Sequence, residues 1–181
     1  MWGNKFESCN NIRFLLLLKG LVLYMLYIFI VAAVVVLDQW TKHIVLHTVG
    51  IGGEPVTVID GFFYIVCHRN SGAAWGMLQN GRYFFIILTV VVFVFAAFVM
   101  IKIKDTIFRS LLSLFVGGAL GNFIDRLING SVVDFLDFYI FSYNFPTFNT
   151  ADSCIVVGTI SLAVYILFHK DILTMLDAKS T

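Results

Sequence analysis

Long apolar stretches divide this chain, and shorter polar segments separate them. Residues 14–37 are apolar except for Lys19, and residues 20–37 alone would form about 27 Å of helix at about 1.5 Å per residue, close to the thickness of a bilayer core. Three further stretches are long and apolar enough to span a membrane, at residues 83–101, 107 to about 124 and 151–168. The pattern therefore predicts four transmembrane helices. The first is expected to be retained, because its apolar region is longer than that of a cleavable signal peptide.

The composition places the chain among membrane proteins. Its 181 residues are 60% hydrophobic and only 13% charged, with a mean hydropathy of +0.92, whereas about a quarter of a soluble domain is charged. We expect an all-α membrane protein, a four-transmembrane-helix bundle formed by a single domain over residues 14–170. In this prediction, residues 1–13 form a polar N-terminal extension and residues 171–181 form a short cytoplasmic tail.

A β-rich segment interrupts the helical pattern between the first two spans. Residues 56–59 and 62–66 are rich in Val, Ile, Phe and Tyr, and the Asp60 and Gly61 between them are typical of a two-residue hairpin turn. A ribbon with unpaired edges cannot cross a bilayer by itself. The sequence therefore predicts a small extracytoplasmic β-ribbon or sheet at the membrane surface, within a loop at about residues 49–68.

The distribution of basic residues predicts the orientation of the spans. Alternating spans place eight of the twelve lysines and arginines at one end of the bundle: Lys5, Arg13, Lys19, Lys102, Lys104, Arg109, Lys170 and Lys179. Because basic residues flank spans mainly on the cytoplasmic side, we expect both termini in the cytoplasm. The outer end then receives polar groups from distant parts of the chain: Asp38, Asn70, Asn122, Asp125, Asp134, Asn149 and Asp152. Ionisable groups at membrane depth are costly and are therefore functional candidates.

Two of these aspartates are candidates for acid–base chemistry. Asp134 and Asp152 are separated by a loop that contains Asp137 and Pro146. Two carboxylates held close together in a poor dielectric share one proton. The ionised member can then take a proton from water while the neutral member hydrogen-bonds a carbonyl oxygen. Alternatively, Asp152 caps the fourth helix, because the N-terminus of a helix favours a carboxylate.

The end of the third span carries further polar residues. Asp125 and Arg126 could form an ion pair that orients a loop or a substrate, or Asp125 could itself belong to the catalytic pair. Asn122 shares a helix face with Asp125 and is suited to hydrogen-bond a peptide backbone. Gly117 and Gly121 form a small-xxx-small face that is typical of close helix packing, although the missing side chains could also leave room for an extended substrate.

Other polar groups at the outer end are weaker candidates. In residues 38–42 (Asp-Gln-Trp-Thr-Lys), Trp40 fits an interface anchor and Lys42 fits a charge that reaches toward the lipid headgroups. Asp38 is expected to belong to a polar network that holds the site. Asn70 precedes a run of small residues that favours a turn, from which its amide could bind a peptide.

The sequence gives little support for a metal site, a cofactor or a nucleic-acid partner. His43 and His47 have the spacing of a zinc-binding helix face, but the glutamate of His-Glu-x-x-His and a third ligand are missing. The cysteines, Cys9, Cys67 and Cys154, are odd in number and fit no metal or redox spacing, so Cys154 is expected to be a small core residue. A net charge of +1 lacks the basic excess that accompanies nucleic-acid binding.

Five blocks of residues together resemble a known family. They are Asp-Gln-Trp-Thr-Lys at 38–42, Asn-Ser-Gly-Ala-Ala-Trp-Gly at 70–76, Gly-Gly-Ala-Leu-Gly-Asn-Phe-Ile-Asp-Arg at 117–126, Val-Val-Asp-Phe at 132–135 and Phe-Asn-Thr-Ala-Asp-Ser at 148–153. Their order, spacing and position on four spans resemble lipoprotein signal peptidase (signal peptidase II), a bacterial membrane aspartic peptidase. The resemblance covers roughly residues 20–170. Trp75 is a departure, because the family usually has Phe at this position.

The resemblance implies a catalytic dyad of Asp134 and Asp152, with no metal and no cofactor. It also implies a set of residues that line or support the site: Asp38, Lys42, Asn70, Gly72, Gly118, Asn122, Asp125, Arg126, Asn149 and Ala151. The implied substrate is a prolipoprotein whose cysteine carries a diacylglyceryl thioether, cut just before that cysteine near the outer leaflet of a bacterial cytoplasmic membrane. Membrane lipids are the other expected partners, and the enzyme is expected to be a monomer.

Two other functions are compatible with aspartates in a membrane bundle. A small proton-coupled transporter uses them as relay groups, but it predicts charges near the bilayer midplane and an internal repeat, neither of which is evident in the sequence. A non-catalytic lipid-binding or assembly subunit predicts a function that survives the loss of either aspartate. Cleavage of a lipidated precursor distinguishes a peptidase from both.

Overall fold

The helices and strands are taken from a computed structural model that describes residues 3–73, 77–141 and 143–177. In chain order they are α1 (Gly3–Thr48), β1 (Val56–Ile59), β2 (Phe63–Asn70), α2 (Arg82–Lys102), α3 (Thr106–Asn129), β3 (Val132–Ile140), β4 (Tyr143–Asn144), α4 (Thr150–Phe168) and α5 (Asp171–Asp177). Within the described ranges, the four helices α1 to α4 are long and apolar enough to cross a membrane. The predicted class, a four-span helical bundle with a small sheet, is confirmed.

The first helix is longer than its apolar stretch predicts. It begins at Gly3, within the polar extension, and continues past Leu37 to Thr48. Residues 38–42 therefore lie inside the helix rather than at its end. Their charged groups are tolerated there because they pair with each other and with α3. Part of the tail is also helical, since α5 covers Asp171–Asp177.

The third span, α3, is the central helix of the bundle. In an apolar 18-residue stretch of α3, 44% of the residues are buried, whereas 11% are buried in the corresponding stretches of α1, α2 and α4. Asp105 caps the start of α3 by accepting a hydrogen bond from the backbone N–H of Phe108 at 2.7 Å. Gly130 ends the helix in a left-handed conformation, with a φ of 73° that glycine adopts without strain.

Glycines allow α3 to lie close to α1 and α4. A Cβ added to Gly117 would lie 2.8 Å from a valine side chain of α1, and one added to Gly121 would lie 2.5 Å from the Asp38 carboxylate. A Cβ on Gly118 would collide with the backbone carbonyl of Ala151 in α4. These small residues therefore serve close helix packing, and Gly118 contacts α4 rather than leaving open space for a substrate.

Substitution of Gly118 by alanine is expected to lower the free energy of unfolding by about 1–3 kcal/mol, because the added methyl group has no room against a backbone carbonyl. The measurement is denaturant unfolding of the purified protein in detergent. Gly20→Ala is the matched control, since a Cβ on Gly20 of α1 meets no atom within 4 Å. Equal stability of the two alanine variants would contradict the close approach of α3 and α4.

The sheet contains four antiparallel strands in the order β1-β2-β3-β4. The predicted ribbon corresponds to β1 and β2, which are joined through Asp60, Gly61 and Phe62. The prediction that a loop containing Asp137 follows Asp134 is wrong, because residues 132–140 form β3. This segment is rich in the β-branched and aromatic residues that favour strands. Its partner, β2, lies far away in the sequence, beyond the reach of a local pattern.

A bulge interrupts β3 directly after Asp134. The backbone N–H groups of Phe135 and Leu136 both donate to the Phe148 carbonyl, at 3.0 and 2.8 Å, and the register between β2 and β3 shifts at the same place. In a regular strand, residues three positions apart point to opposite faces, whereas a bulge changes the face of the residues that follow it. Asp134 and Asp137 consequently line the same cavity.

Candidate active site

The two candidate catalytic aspartates come together where β3 lies next to the start of α4. Asp134 is the third residue of β3, and Asp152 is the third residue of α4. Both line a cavity of about 230 Å³, together with Asn70, Asn122 and Arg126. Polar groups from distant parts of the chain therefore converge at this end of the bundle, which is the geometry that the alternation of spans predicts.

Four amide N–H groups hold the two carboxylates, one on each oxygen. Asp134 Oδ1 accepts a hydrogen bond from Asn149 Nδ2 at 2.7 Å, and its Oδ2 accepts one from Asn70 Nδ2 at 2.9 Å. Asp152 Oδ1 accepts from Asn122 Nδ2 at 2.7 Å, and its Oδ2 accepts from the backbone N–H of Asn149 at 3.2 Å. Each carboxylate oxygen can accept about two hydrogen bonds. Both carboxylates can therefore still bind a proton or accept a hydrogen bond from a water molecule.

Asn149 connects the dyad to the start of α4. Its side-chain oxygen accepts a hydrogen bond from the backbone N–H of Asp152 at 3.0 Å, while the Asp152 carboxylate accepts from the backbone N–H of Asn149. This reciprocal arrangement is a capping box. The helix-capping role that we considered for Asp152 is therefore present. It orients the carboxylate that faces the cavity, so capping and catalysis are compatible.

A buried ion cluster, formed by Lys42, Asp38 and Asp125, lies behind the dyad. The Lys42 ammonium group is 3% exposed and donates to Asp38 Oδ2 at 2.7 Å and to Asp125 Oδ2 at 2.6 Å. The prediction that Lys42 reaches toward lipid headgroups is wrong, because these buried carboxylates hold it inside the bundle. The suggested ion pair between Asp125 and Arg126 is also wrong, because Asp125 pairs with Lys42 instead.

Asn122 links the ion cluster to the dyad. Its Oδ1 accepts hydrogen bonds from Lys42 Nζ at 2.9 Å and from Asn149 Nδ2 at 3.3 Å. Its Nδ2 donates to Asp152. The sequence suggests that the Asn122 amide hydrogen-bonds a peptide backbone. In the structure it holds Asp152 and Lys42 in place, which is a positioning role.

Asp38 fastens α1 to the start of α4. It is 0% exposed, and its Oδ1 accepts a hydrogen bond from the backbone N–H of Ala151 at 2.9 Å. This N–H belongs to the first turn of α4, where backbone donors lack helical partners and a carboxylate is favoured. Asp38 thus lies in a polar network, in agreement with the sequence prediction. Sequence reasoning missed Gln39, whose Nε2 donates to Asp38 at 3.2 Å and to Asp125 at 3.3 Å.

We call the cavity that Asp134 and Asp152 line the catalytic cavity. Arg126 and the loop after β2 form its rim. The guanidinium group of Arg126 lies 4.6 Å from the centroid of the Phe85 ring, and its Nη2 donates to the Gly72 carbonyl at 3.2 Å. The Gly72 backbone N–H donates to Asn70 Oδ1 at 2.9 Å, which turns the Asn70 amide nitrogen toward the dyad. Trp75, the departure from the family pattern, lies outside the described residues.

The cavity is a poorly solvated place for a charged carboxylate. Asp134 is 3% exposed, and this burial raises the pKa of its carboxyl above the usual value. The hydrogen bonds from Asn70 and Asn149 and the charges of Lys42 and Arg126 act in the opposite direction. The balance favours retention of a proton in the dyad, and acid–base catalysis requires such a proton.

The described residues contain no group of three or more His, Cys, Asp or Glu side chains arranged to hold a metal ion. His43 and His47 contact each other instead, with ring centroids 4.0 Å apart, and His47 Nδ1 lies 2.8 Å from the His43 carbonyl oxygen. Cys154 is half-buried near the start of α4, whereas Cys67 is the more deeply buried thiol, within the sheet.

Known proteins match about four-fifths of this chain, including the region that forms the candidate site. The sequence model of the family described as Signal peptidase (SPase) II matches residues 30–168. The lipoprotein signal peptidase of Staphylococcus carnosus is 47% identical over 145 residues, which cover 79% of this chain and 91% of that protein. The corresponding protein of Geobacillus kaustophilus is 46% identical over 148 residues, covering 80% and 94% of the two chains.

Solved structures match the fold as well. A bacterial membrane enzyme determined at 2.3 Å resolution superposes with a TM-score of 0.74 and 39% sequence identity, covering 86% of this chain and 92% of its own. A second bacterial membrane enzyme, determined at 1.9 Å, gives a TM-score of 0.71 and 43% identity, with 78% and 92% coverage. The match to the family model includes all five motif blocks and both aspartates of the candidate dyad. The chain therefore belongs to the signal peptidase II family, whose members are bacterial membrane-bound aspartic endopeptidases.

Proposed function

We propose that this enzyme removes the signal peptide from prolipoproteins whose cysteine carries a diacylglyceryl group, and that Asp134 and Asp152 activate the attacking water. The observation that carries the proposal is that both carboxylates line one cavity and that an amide N–H holds each of their oxygens. The substrate class is supported by similar proteins that are named lipoprotein signal peptidases.

The dyad acts with one shared proton. The ionised carboxylate takes a proton from water as the water oxygen attacks the scissile carbonyl carbon, and the protonated carboxyl donates a hydrogen bond to the carbonyl oxygen. When the tetrahedral intermediate collapses, a proton passes to the departing amine, which becomes the N-terminus of the cysteine. Because the two groups titrate as a coupled pair, the roles belong to the dyad rather than to one fixed residue.

The surrounding residues hold the dyad without competing for its proton. The amides of Asn70, Asn122 and Asn149 do not titrate, so they fix the carboxylates in either protonation state. The neighbouring ammonium group of Lys42 is paired with two carboxylates of its own. It therefore does not force both members of the dyad to ionise.

Arg126 is the group that we assign to orienting the substrate. It lines the catalytic cavity, and its buried Nε has no hydrogen-bond partner among the described residues. A guanidinium N–H is a strong donor to a peptide carbonyl. Stacking on Phe85 and the bond to Gly72 keep the guanidinium plane fixed, so a donor is already in place for the substrate backbone.

The distribution of charge along the spans supports an active site near the outer leaflet. The site lies beyond the middle of α1, near the end of α3 and at the start of α4. Lys102 and Arg109, by contrast, lie at the other ends of the spans, and Lys170 follows the far end of α4. By the positive-inside rule, this distribution supports a cytoplasmic location for both termini. The signal helix would enter between the spans, the lipid chains would stay in the outer leaflet, and a single copy of the chain would be sufficient.

The test uses two precursors that differ only in the lipid on the cysteine. The purified protein in detergent is expected to shorten the diacylglyceryl precursor, seen as a shift on a gel, while the unmodified precursor stays intact over the same time. The lipid carries much of the binding free energy that positions the peptide, so its loss removes cleavage and not only affinity. Equal cleavage of both precursors, or of neither, would contradict the proposed substrate class.

A further inference from the structure

A second cavity, of about 580 Å³, extends from the dyad along the sheet. It adjoins the catalytic cavity, with which it shares six lining residues: Asn70, Ala73, Asp134, Phe145, Pro146 and Thr147. Beyond the dyad its walls include apolar residues such as Pro55 and Val66 and a set of polar side chains: His68, Arg69, Asp137, Tyr139 and Asn144. We call this space the sheet cavity.

Asp137 is the unusual group in the sheet cavity. It is 6% exposed, and its Oδ1 has no hydrogen-bond partner in the described part of the chain. Buried polar atoms without a partner are rare in native proteins and require an explanation. The bulge after Asp134 turns Asp137 to the same side as the dyad, and bulges beside active sites commonly re-aim a side chain in this way.

The direction of the substrate follows from its polarity. The signal segment before the cut is apolar and would lie among the helices, whereas the chain after the lipidated cysteine leaves the membrane and is polar. The lining of the sheet cavity is more polar than that of the catalytic cavity, and it lies on the sheet side of the dyad, so it fits the residues that follow the cut. This step rests on the proposed function, because it assumes a peptide bond held between Asp134 and Asp152.

We propose that Asp137 selects the residues accepted just after the lipidated cysteine, by accepting a hydrogen bond from a donor-bearing side chain and disfavouring an acidic one. Arg69 carries the opposing charge in the same cavity, which the His68 imidazole also lines. Both side chains are exposed, so solvent screens the charge of Arg69 more strongly than that of the buried Asp137. The Arg69 guanidinium group also donates a hydrogen bond to the Ser131 hydroxyl at 3.4 Å. The Asp137 carboxylate therefore has the larger influence on which side chain is accepted after the lipidated cysteine.

The experiment compares lipidated precursors that carry Ser, Lys or Asp at one of the positions immediately after the cysteine. The native enzyme is expected to show a kcat/KM about tenfold or more higher for Ser or Lys than for Asp at one of these positions, the difference that a hydrogen bond to a charged group supplies. In Asp137→Asn, which has nearly the same size but no charge, we expect this preference to fall below about threefold, mainly through KM, because the contact forms on binding.

Asp60→Asn is the matched control. Asp60 lies in the turn of the same sheet, is exposed, contacts the Tyr64 hydroxyl at 3.2 Å and does not line either cavity. It is expected to keep the native preference. The proposal is overturned if the native enzyme shows no preference, if Asp137→Asn keeps the full preference, or if that variant loses kcat equally on every precursor, since a uniform loss indicates a purely structural role. Failure of the proposed function gives a different result, because lipidated precursors would then stay uncut or would be cut no faster than unmodified ones.

Discussion

Replacement of either Asp134 or Asp152 by asparagine is expected to lower turnover of a lipidated precursor by about 10²–10⁴-fold, the usual contribution of general acid–base catalysis. The amide keeps the size of the carboxyl and its place beside the asparagine donors, but it can neither take a proton from water nor return one. The loss should therefore fall on kcat rather than on KM. Single-turnover cleavage by the purified enzyme, with precursor below enzyme concentration, measures it directly.

The same substitutions test how the carboxylates are held. Each oxygen of the dyad faces an N–H donor, so an asparagine at either position places its own NH₂ group against one of them. A donor then loses its acceptor, and we expect the free energy of unfolding to fall by about 1–3 kcal/mol. Activities must be compared where every variant is folded, with Asp60→Asn as the exposed control. Near-native turnover of Asp134→Asn or Asp152→Asn would contradict the two-aspartate mechanism.

The spans and the ribbon could be predicted from sequence because their signals are local. A helix that crosses lipid needs a long apolar run, and all four stretches meet that requirement, the third one least strongly. The ribbon carries its own turn at Asp60 and Gly61. The site residues could be nominated for a related reason, since a chain that is only 13% charged has few polar groups to place at membrane depth.

The pairing of those residues could not be predicted, because it depends on contacts between distant segments. A lysine near the end of an apolar run usually reaches the headgroups, and only the approach of α3 supplies Asp125 as a partner for Lys42. For the same reason α1 ends at Thr48 instead of Leu37. The side of the sheet on which Asp137 lies could not be predicted either, because it depends on the long-range pairing of β3 and on a bulge that reverses its side.

The largest effect on stability is expected from Lys42→Met, which removes the only positive charge that contacts both Asp38 and Asp125 in the described structure. Two buried carboxylates would be left without compensation, and breaking a buried ion pair in this way costs about 3–5 kcal/mol. Asn122 would lose a partner as well, so the hold on Asp152 should loosen and kcat should fall. Denaturant unfolding in detergent and turnover at a temperature where the variant is folded measure the two effects separately.

A fully neutral cluster distinguishes the cost of buried charge from the cost of lost packing. Lys42→Met combined with Asp38→Asn and Asp125→Asn should recover much of the stability, because amides can be buried at lower cost than unpaired carboxylates. Lys104→Met, at an exposed lysine after α2, should stay within about 0.5 kcal/mol of the native protein. If Lys42→Met alone is as stable as that control, the carboxylates of Asp38 and Asp125 do not depend on Lys42, and the buried cluster is not what holds α1, α3 and α4 together around the dyad.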